Sequence, residues 1–252
     1  MADRLRAPGC GVRGRQWRSG AVSRTAPKLT LRRPSTWRDL APEGDRHHAS
    51  FRALGANFFE HAAADVAQAL LGARLISLLD GAVCVGMVVE TEAYGGPGDP
   101  ASHAATRSGV TKRNRAMFGP AGRAYVYRSY GVHWCLNVVT GSEGTGEAVL
   151  LRGVHPISGL DVMTARRGGR MPLAAGPGRL AQAFGVDDTL YDHPMDRAPL
   201  MLAEGWTVPE CDIVTTGRVG VSAAADWPLR FYVAGSLGVS VPSAPPFDPE
   251  SA

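Results

Sequence analysis

Glu90, Glu92 and Tyr94 fall two apart in the stretch Glu90-Thr91-Glu92-Ala93-Tyr94. In a strand, that spacing puts all three on one face. Two carboxylates beside an aromatic ring are expensive to bury without a task, because each ionised group needs compensation. What such a pair offers is general acid–base chemistry. Salt-bridged glutamates on a surface are the competing reading, and spacing alone does not choose between Glu90 and Glu92. From Pro100 to Ser142 the chain then has no Asp or Glu, yet it carries Arg107, Lys112, Arg113, Arg115, Arg123 and Arg128 among Tyr125, Tyr127, Tyr130 and Trp134. Bases interleaved with aromatics suit a surface that tracks phosphates and stacks nucleobases. If all these bases met phosphates, the salt slope would be about −5. A solvated face that happens to lack acids is the bland alternative.

These residues need elements to position them. Phe58-Phe59 followed by Ala62, Val66, Ala67, Leu70 and Leu71 has helical spacing, and Gly72 is a plausible stop. Leu75–Leu79, the Asp80-Gly81 turn and Ala82–Tyr94 read as a tight antiparallel hairpin. Arg123–Arg128 and His133–Thr140 alternate as two further strands, with Tyr130 at or beside the tip between them. An aromatic at a hairpin tip gains little from its own core and suits a wedge for a base stack; a ring lying flat on its own sheet is the alternative. Glu147–Arg152 reads as an apolar strand ending in a charge. Ala175-Gly176-Pro177-Gly178-Arg179 opens a helix running towards Phe184-Gly185, where free N–H groups could hold a phosphate. Arg218–Val221 and Leu229–Val233 read as closing strands.

Composition narrows the class. The 252 residues are 44% hydrophobic and 20% charged, the balance of a globular protein. No apolar run is long enough for a membrane span. Cys10, Cys84, Cys135 and Cys211 are far apart with no CxxC pair, which disfavours a disulfide framework and a structural zinc site. A reducing, intracellular setting fits. The formal charge of +4 is unevenly placed: residues 1–50 carry +7 and the remainder −3. That Arg-, Gly- and Pro-rich arm has no sustained period and too little apolar surface to offset its ordering entropy, so disorder is expected over 1–50. It lacks the apolar segment of a secretory signal. It reads either as a phosphate-binding tail or as an extension without a role, and 244–252 as a frayed end, leaving a domain over 51–243.

The order of motifs resembles the alkyladenine (3-methyladenine) DNA glycosylase family. The matching residues are Glu90-Thr91-Glu92-Ala93-Tyr94, His103, Thr111–Phe118 (TKRNRAMF), Tyr125-Val126-Tyr127, Tyr130-Gly131, Cys135-Leu136-Asn137, Leu150-Leu151-Arg152, Gly176-Pro177, Arg218–Val221 and Leu229–Val233. The resemblance implies an α+β fold: a single mixed domain with a curved antiparallel β-sheet, flanking helices and a protruding β-hairpin. It implies cleavage of the N-glycosidic bond of damaged purines in double-stranded DNA, without metal or organic cofactor. Glu92 would deprotonate the attacking water, with Arg152 and the backbone at Val219 positioning it. Tyr94, His103 and Tyr127 would wall the base pocket, Asn137 would floor it, and Tyr130 would fill the vacated stack. Lys112, Arg113, Arg115, Arg128 and Arg179 would meet the DNA backbone. A monomer in the bacterial cytoplasm, at the nucleoid, is expected. Gly95–Pro100 is richer in Gly and Pro than the acidic stretch usual in the family, which suggests a loose pocket loop. Two other readings stay open: a catalytically silent DNA- or RNA-binding module, and a metal-dependent hydrolase built on Glu92, Asp99 and His103.

Overall fold

The computed structural model describes residues 51–106 and 109–241. The expected tail 1–50, Arg107, the expected frayed end and the last two positions of the expected domain lie outside the described residues. In chain order the first half holds α1 (Ala56–Phe59), α2 (Ala63–Ala69), β1 (Arg74–Ser77), β2 (Cys84–Gly95), α3 (His103–Thr106), β3 (Ala124–Ser129) and β4 (His133–Thr140). The second half holds β5 (Glu147–Ser158), α4 (Leu160–Arg166), α5 (Pro177–Phe184), β6 (Asp196–Arg197), β7 (Leu200–Ala203), β8 (Ile213–Thr216) and β9 (Arg230–Val233). The strands form one antiparallel sheet in the order β3-β4-β5-β2-β1-β7-β6, with β9 also on β2 and β8 outside β9. This is the expected α+β domain on a curved antiparallel sheet, with short helices on its flanks.

Alternation sorts the strand residues. Val126, Leu136, Val138, Val149 and Leu151 face the main core with α2 and α5. The intervening Tyr125, Val139 and Ala148 form a second cluster with Tyr94 and Tyr127 on the other face. The Thr91 hydroxyl donates to the Ala67 carbonyl at 2.8 Å, tying α2 to β2 beside Glu92.

The long strands β2 and β5 are the spine, and their pairing is irregular where the chemistry sits. Along one edge, β2 pairs β1 through Cys84–Met87 and then β9 through Glu90–Glu92, so the sheet forks at Val88-Val89. On the other edge Val88 faces Val154, Glu90 faces Gly153 and Thr91 faces Leu151. Val89 and Arg152 are thereby left without ladder partners. Bulges of this kind bend a strand and re-aim its side chains. The Arg152 carbonyl accepts instead from the Gly176 N–H, at 2.9 Å.

Four local expectations are corrected. The helix expected from Phe58 onwards is broken between α1 and α2, because the Phe59 carbonyl accepts from Gly141 N–H at 2.9 Å and Ala63 N–H donates to Glu147 at 3.0 Å. Two tertiary bonds replace the helical one. The hairpin through Asp80-Gly81 keeps the two positive φ angles expected there (58° and 70°), but the connection spans all of 78–83, with Leu78 N–H bonded to Pro199. Next, β5 does not stop at Arg152 but runs on to Ser158. Finally, Arg218–Val221 is no strand: the Val219 N–H is committed to a side chain, Glu92, rather than to a ladder.

Gly153 sits where β5, Glu90 and the 238 segment meet; a Cβ there would lie 2.3 Å from the Gly238 carbonyl oxygen and 3.0 Å from the Glu90 Cβ. Gly153→Ala is expected to cost about 1–3 kcal/mol in a urea unfolding titration; unchanged stability would contradict this packing.

Candidate active site

Directly paired residues of antiparallel strands share a face. Tyr125 pairs Asn137, Asn137 pairs Leu150, Leu150 pairs Glu92, and Glu92 pairs Arg230. One row across five strands therefore carries aromatic, amide, carboxylate and guanidinium groups to the same side. Tyr127 and Cys135 form a neighbouring pair, as do Tyr94 and Ala148. The two-residue spacing in β2 holds through the bulge, and Glu90, Glu92 and Tyr94 converge as expected.

Glu90 and Glu92 are both 0% exposed, which removes the surface reading. They divide one guanidinium. Arg152 Nε donates to Glu90 Oε1 at 3.1 Å and Arg152 Nη1 to Glu92 Oε2 at 3.2 Å. Glu90 is further held by Arg230 Nε at 2.8 Å and by the Ser240 N–H and hydroxyl at 2.6 and 2.8 Å. Glu92 receives the Tyr94 hydroxyl on Oε2 at 3.0 Å and the Val219 N–H on Oε1 at 2.6 Å. A carboxylate oxygen accepts two bonds; Oε1 accepts one from the protein and keeps a lone pair for a small donor such as water. Burial pushes the Glu92 carboxyl above the ordinary glutamate range, against the pull of Arg152, Val219 and Tyr94, and the nearby Glu90 adds to the rise. Despite burial, the charges of Glu92 and Glu90 hold Arg152 protonated. The phenol of Tyr94 is raised by burial, by Glu92 and by Tyr127, so it stays a donor.

Tyr94 is wedged from outside as well. Arg218 Cζ stands 4.9 Å from its ring centroid. Arg218 donates to the Ala93 carbonyl at 3.0 Å and through both Nη atoms to Asp99, with Nη2–Oδ1 at 2.8 Å. Asp99 also accepts the N–H groups of Gly95 and Ala101 at 3.1 and 3.0 Å. The loop expected to be loose is thus tied to the body by one carboxylate. Asp99 is 2% exposed; burial alone would raise its pKa, but the Arg218, Gly95 and Ala101 donors outweigh that and hold it below the usual aspartate range.

Tyr127 stacks on Tyr125 with centroids 5.4 Å apart, and Asn137 is buried with its Nδ2 donating to the Tyr125 carbonyl at 2.9 Å. Burial pushes the Tyr125 phenol up to about 12. His103 is exposed on α3, beside the Gly96–Gly98 turn. Tyr130 is 94% exposed at the β3–β4 tip, with φ 50° in a turn closed by Val132 N–H to the Ser129 carbonyl at 3.0 Å. A positive φ in a non-glycine residue costs about 1–2 kcal/mol. A fully solvated, strained aromatic contributes nothing to its own core, so the flat-lying alternative is excluded.

Lys112, Arg113, Arg115, Arg128 and Arg179 are all exposed. Arg128 lies 5.0 Å from the Trp134 ring centroid. Arg123 is different: it is bonded to Asp192 at 3.0 Å, which removes it from the basic window read in the sequence. Burial and the neighbouring charges of Arg170 and Arg179 lower the pKa of Arg167.

The sequence reading did not assign roles to Arg230, Ser240, Arg218 or Tyr191. Arg218 and Arg230 lay inside quoted motifs, and an Arg in an otherwise apolar strand such as Arg230-Phe231-Tyr232-Val233 is itself a signal for a buried partner. Tyr191, which receives the Ala116 N–H at 2.9 Å and packs edge-on to Tyr125, had no such signal. Among the described residues no group of three or more His, Cys, Asp or Glu side chains could hold a metal ion. Glu92, Asp99 and His103 are not assembled as a ligand set: the first two are spent on arginines and the third faces solvent.

The sequence profile of the methylpurine-DNA glycosylase family matches residues 57–237. The chain belongs to the methylpurine-DNA glycosylase family. It is 50% identical over 192 residues to a Methanoculleus marisnigri protein named "putative 3-methyladenine DNA glycosylase", covering 74% of this chain and 98% of that one. Proteins with the same name from Rhodopseudomonas palustris (strain HaA2) and Agrobacterium fabrum are each 46% identical, covering 75% and 73% of this chain and 90% of each relative. The protein is therefore an enzyme, a DNA glycosylase, and not a silent binding module. Among the described residues, no helix is long and apolar enough to cross a membrane.

Removing one partner of a buried ion pair strands the other. Asp99→Asn is expected to lower stability by about 3–5 kcal/mol at pH 7. Because the folded pKa of Asp99 is depressed, its contribution is present above the unfolded value of about 3.9 and fades as pH falls through the folded one. The difference between variant and parent, measured by chemical denaturation from pH 7 downwards, should shrink in acid; a constant difference would show that charge is not its source.

Proposed function

We propose that this glycosylase is monofunctional and excises alkylated or deaminated purines, such as 3-methyladenine, 7-methylguanine and hypoxanthine, from duplex DNA, by attack of a Glu92-activated water. The observation that carries the reading is the Glu92 carboxylate: buried, raised in proton affinity, fixed by three donors, and left with an acceptor position on Oε1. The target atom is unreachable inside a duplex, so the nucleotide must be everted, at a cost of a few kcal/mol. Stacking on Tyr127 and Tyr94 returns about 1–3 kcal/mol per base, and Asn137 closes the floor. A cationic alkylated purine gains further from the electron-rich ring faces. His103 is the remaining wall. Its exposed position on a short helix leaves it free to meet a base edge from above.

The water oxygen bonds to C1′ as the C1′–N bond breaks and its electron pair leaves with the purine. Glu92 takes the water proton. Arg152 and the Val219 backbone orient the carboxylate and the nucleophile together. One carboxylate with a water needs no covalent enzyme intermediate. The sequence holds only two lysines, Lys28 and Lys112, and Lys112 is exposed whereas Glu92 is buried, which supports hydrolysis without a Schiff-base lyase step. Tyr130 fills the vacated stack, and Lys112, Arg113, Arg115, Arg128 and Arg179 hold phosphates. A monomer working on cytoplasmic DNA at the nucleoid fits this chemistry.

Three outcomes test the reading. Glu92→Gln should bind a hypoxanthine duplex but lose at least about a hundredfold in single-turnover excision; the parental rate in that variant would remove Glu92 from the reaction. Since only the ionised carboxylate is a base, and its pKa is raised, parental excision should fall off in acid above the ordinary glutamate value of about 4.3. Tyr130→Ala should slow excision from paired duplex more than from a single strand, and equal losses on both would contradict a wedge.

A further inference from the structure

Glu90 has no place in the bond-breaking step, yet it is the best-satisfied carboxylate of the site. Its four donors come from Arg152, Arg230 and both polar groups of Ser240. Ser240 in turn accepts from Arg152 Nη2 at 3.2 Å, so Nε, Nη1 and Nη2 of Arg152 each have a separate acceptor. Arg152 also stands at the bulge between β2 and β5, outside the ladder, and Glu90 and Ser240 hold the part of its guanidinium that Glu92 does not. We propose that Glu90 is a positioning residue: by taking half of the Arg152 guanidinium, it keeps Glu92 a strong enough base to activate water. The inference rests on the role of Glu92 given above.

The charges around Glu92 make the sign definite. From its own strand come Glu90 and the Tyr94 phenol; from β5, Arg152; from β9, Arg230; from β4, Cys135; from β3, Tyr127; and from the loop before Val219, Arg218, already neutralised by Asp99. Two carboxylates and the guanidiniums of Arg152 and Arg230 form a closed set with no net charge. Neutralising Glu90 leaves that set one positive charge in excess, all of it acting on Glu92. An anion stabilised in this way gives up its electrons less readily, and proton abstraction slows.

The test is the pH profile of single-turnover excision from a hypoxanthine duplex, with binding measured separately. Glu90→Gln should move the acidic limb about one pH unit lower and reduce the plateau rate roughly threefold to tenfold, with duplex affinity unchanged. A merely structural role predicts a loss at every pH with the limb where it was, and that result overturns the proposal. Should Glu90→Gln fail to fold, Ser240→Ala decides the question. It keeps all four charges and the main-chain donor, and it removes only the hydroxyl that bonds both Glu90 and Arg152. With Arg152 drawn towards Glu90, the acidic limb should move up by a smaller amount; an unmoved limb overturns the proposal. If Glu92→Gln is inactive while neither variant shifts the limb, this inference alone falls. If Glu92→Gln retains the parental rate, the reading of Glu92 falls first.

Discussion

Two carboxylates that cannot reach bulk water share one guanidinium, and most of the architecture is arranged around that fact. An ionised group taken out of water costs several kcal/mol unless it is paired and hydrogen-bonded. Here the compensation comes from three residues far from the carboxylates in sequence: Arg152 at the β5 bulge, Arg230 on β9 and Ser240 beyond it. Each must arrive at β2 for the centre to be tolerable. The fork of the sheet at Val88-Val89 brings β9 in, and the bulge aims Arg152. Folding and chemistry are thus coupled through electrostatics: a chain that did not complete the fork would leave Glu90 and Glu92 to share Arg152 alone.

A second ion pair frames the first. Asp99 and Arg218 tie the 95–101 loop to the segment that presents the Val219 N–H, and the Arg218 guanidinium backs the Tyr94 ring. The Tyr94 ring and the donor to Glu92 are thereby set by one clamp. Outside this rigid centre the surface changes character. The tip of the β3–β4 hairpin carries a fully solvated tyrosine in a strained turn, and exposed bases flank it. Strain of this sort persists only where the surroundings impose it. A neutralised interior with exposed cations outside it suits a protein that acts on a negatively charged polymer.

Much of this was legible in the residues. The alternation of Tyr125-Val126-Tyr127 and of Cys135-Leu136-Asn137 announced strands with one aromatic face, and Tyr130-Gly131 announced the tip. The carboxylates at Glu90 and Glu92 announced a site because their spacing matches the pleat. What stayed hidden depends on contacts between distant segments. The helix after Phe58 breaks because Gly141 and Glu147 compete for its backbone groups, and no local pattern carries that information. Arg218–Val221 has the composition of a strand, but its donor is more useful to Glu92 than to a neighbour. Spacing alone also left Glu90 and Glu92 equivalent. Their difference lies in the count of donors, which only the assembled sheet reveals.

The most direct measurement is a crystal structure of the protein with a duplex bearing a damaged purine on a sugar that resists cleavage. The account predicts the purine everted against Tyr127 and a water between Glu92 Oε1 and C1′, within about 2.6–3.2 Å of the carboxylate. A Glu92 side chain turned from the sugar, with no solvent molecule between them, would contradict it.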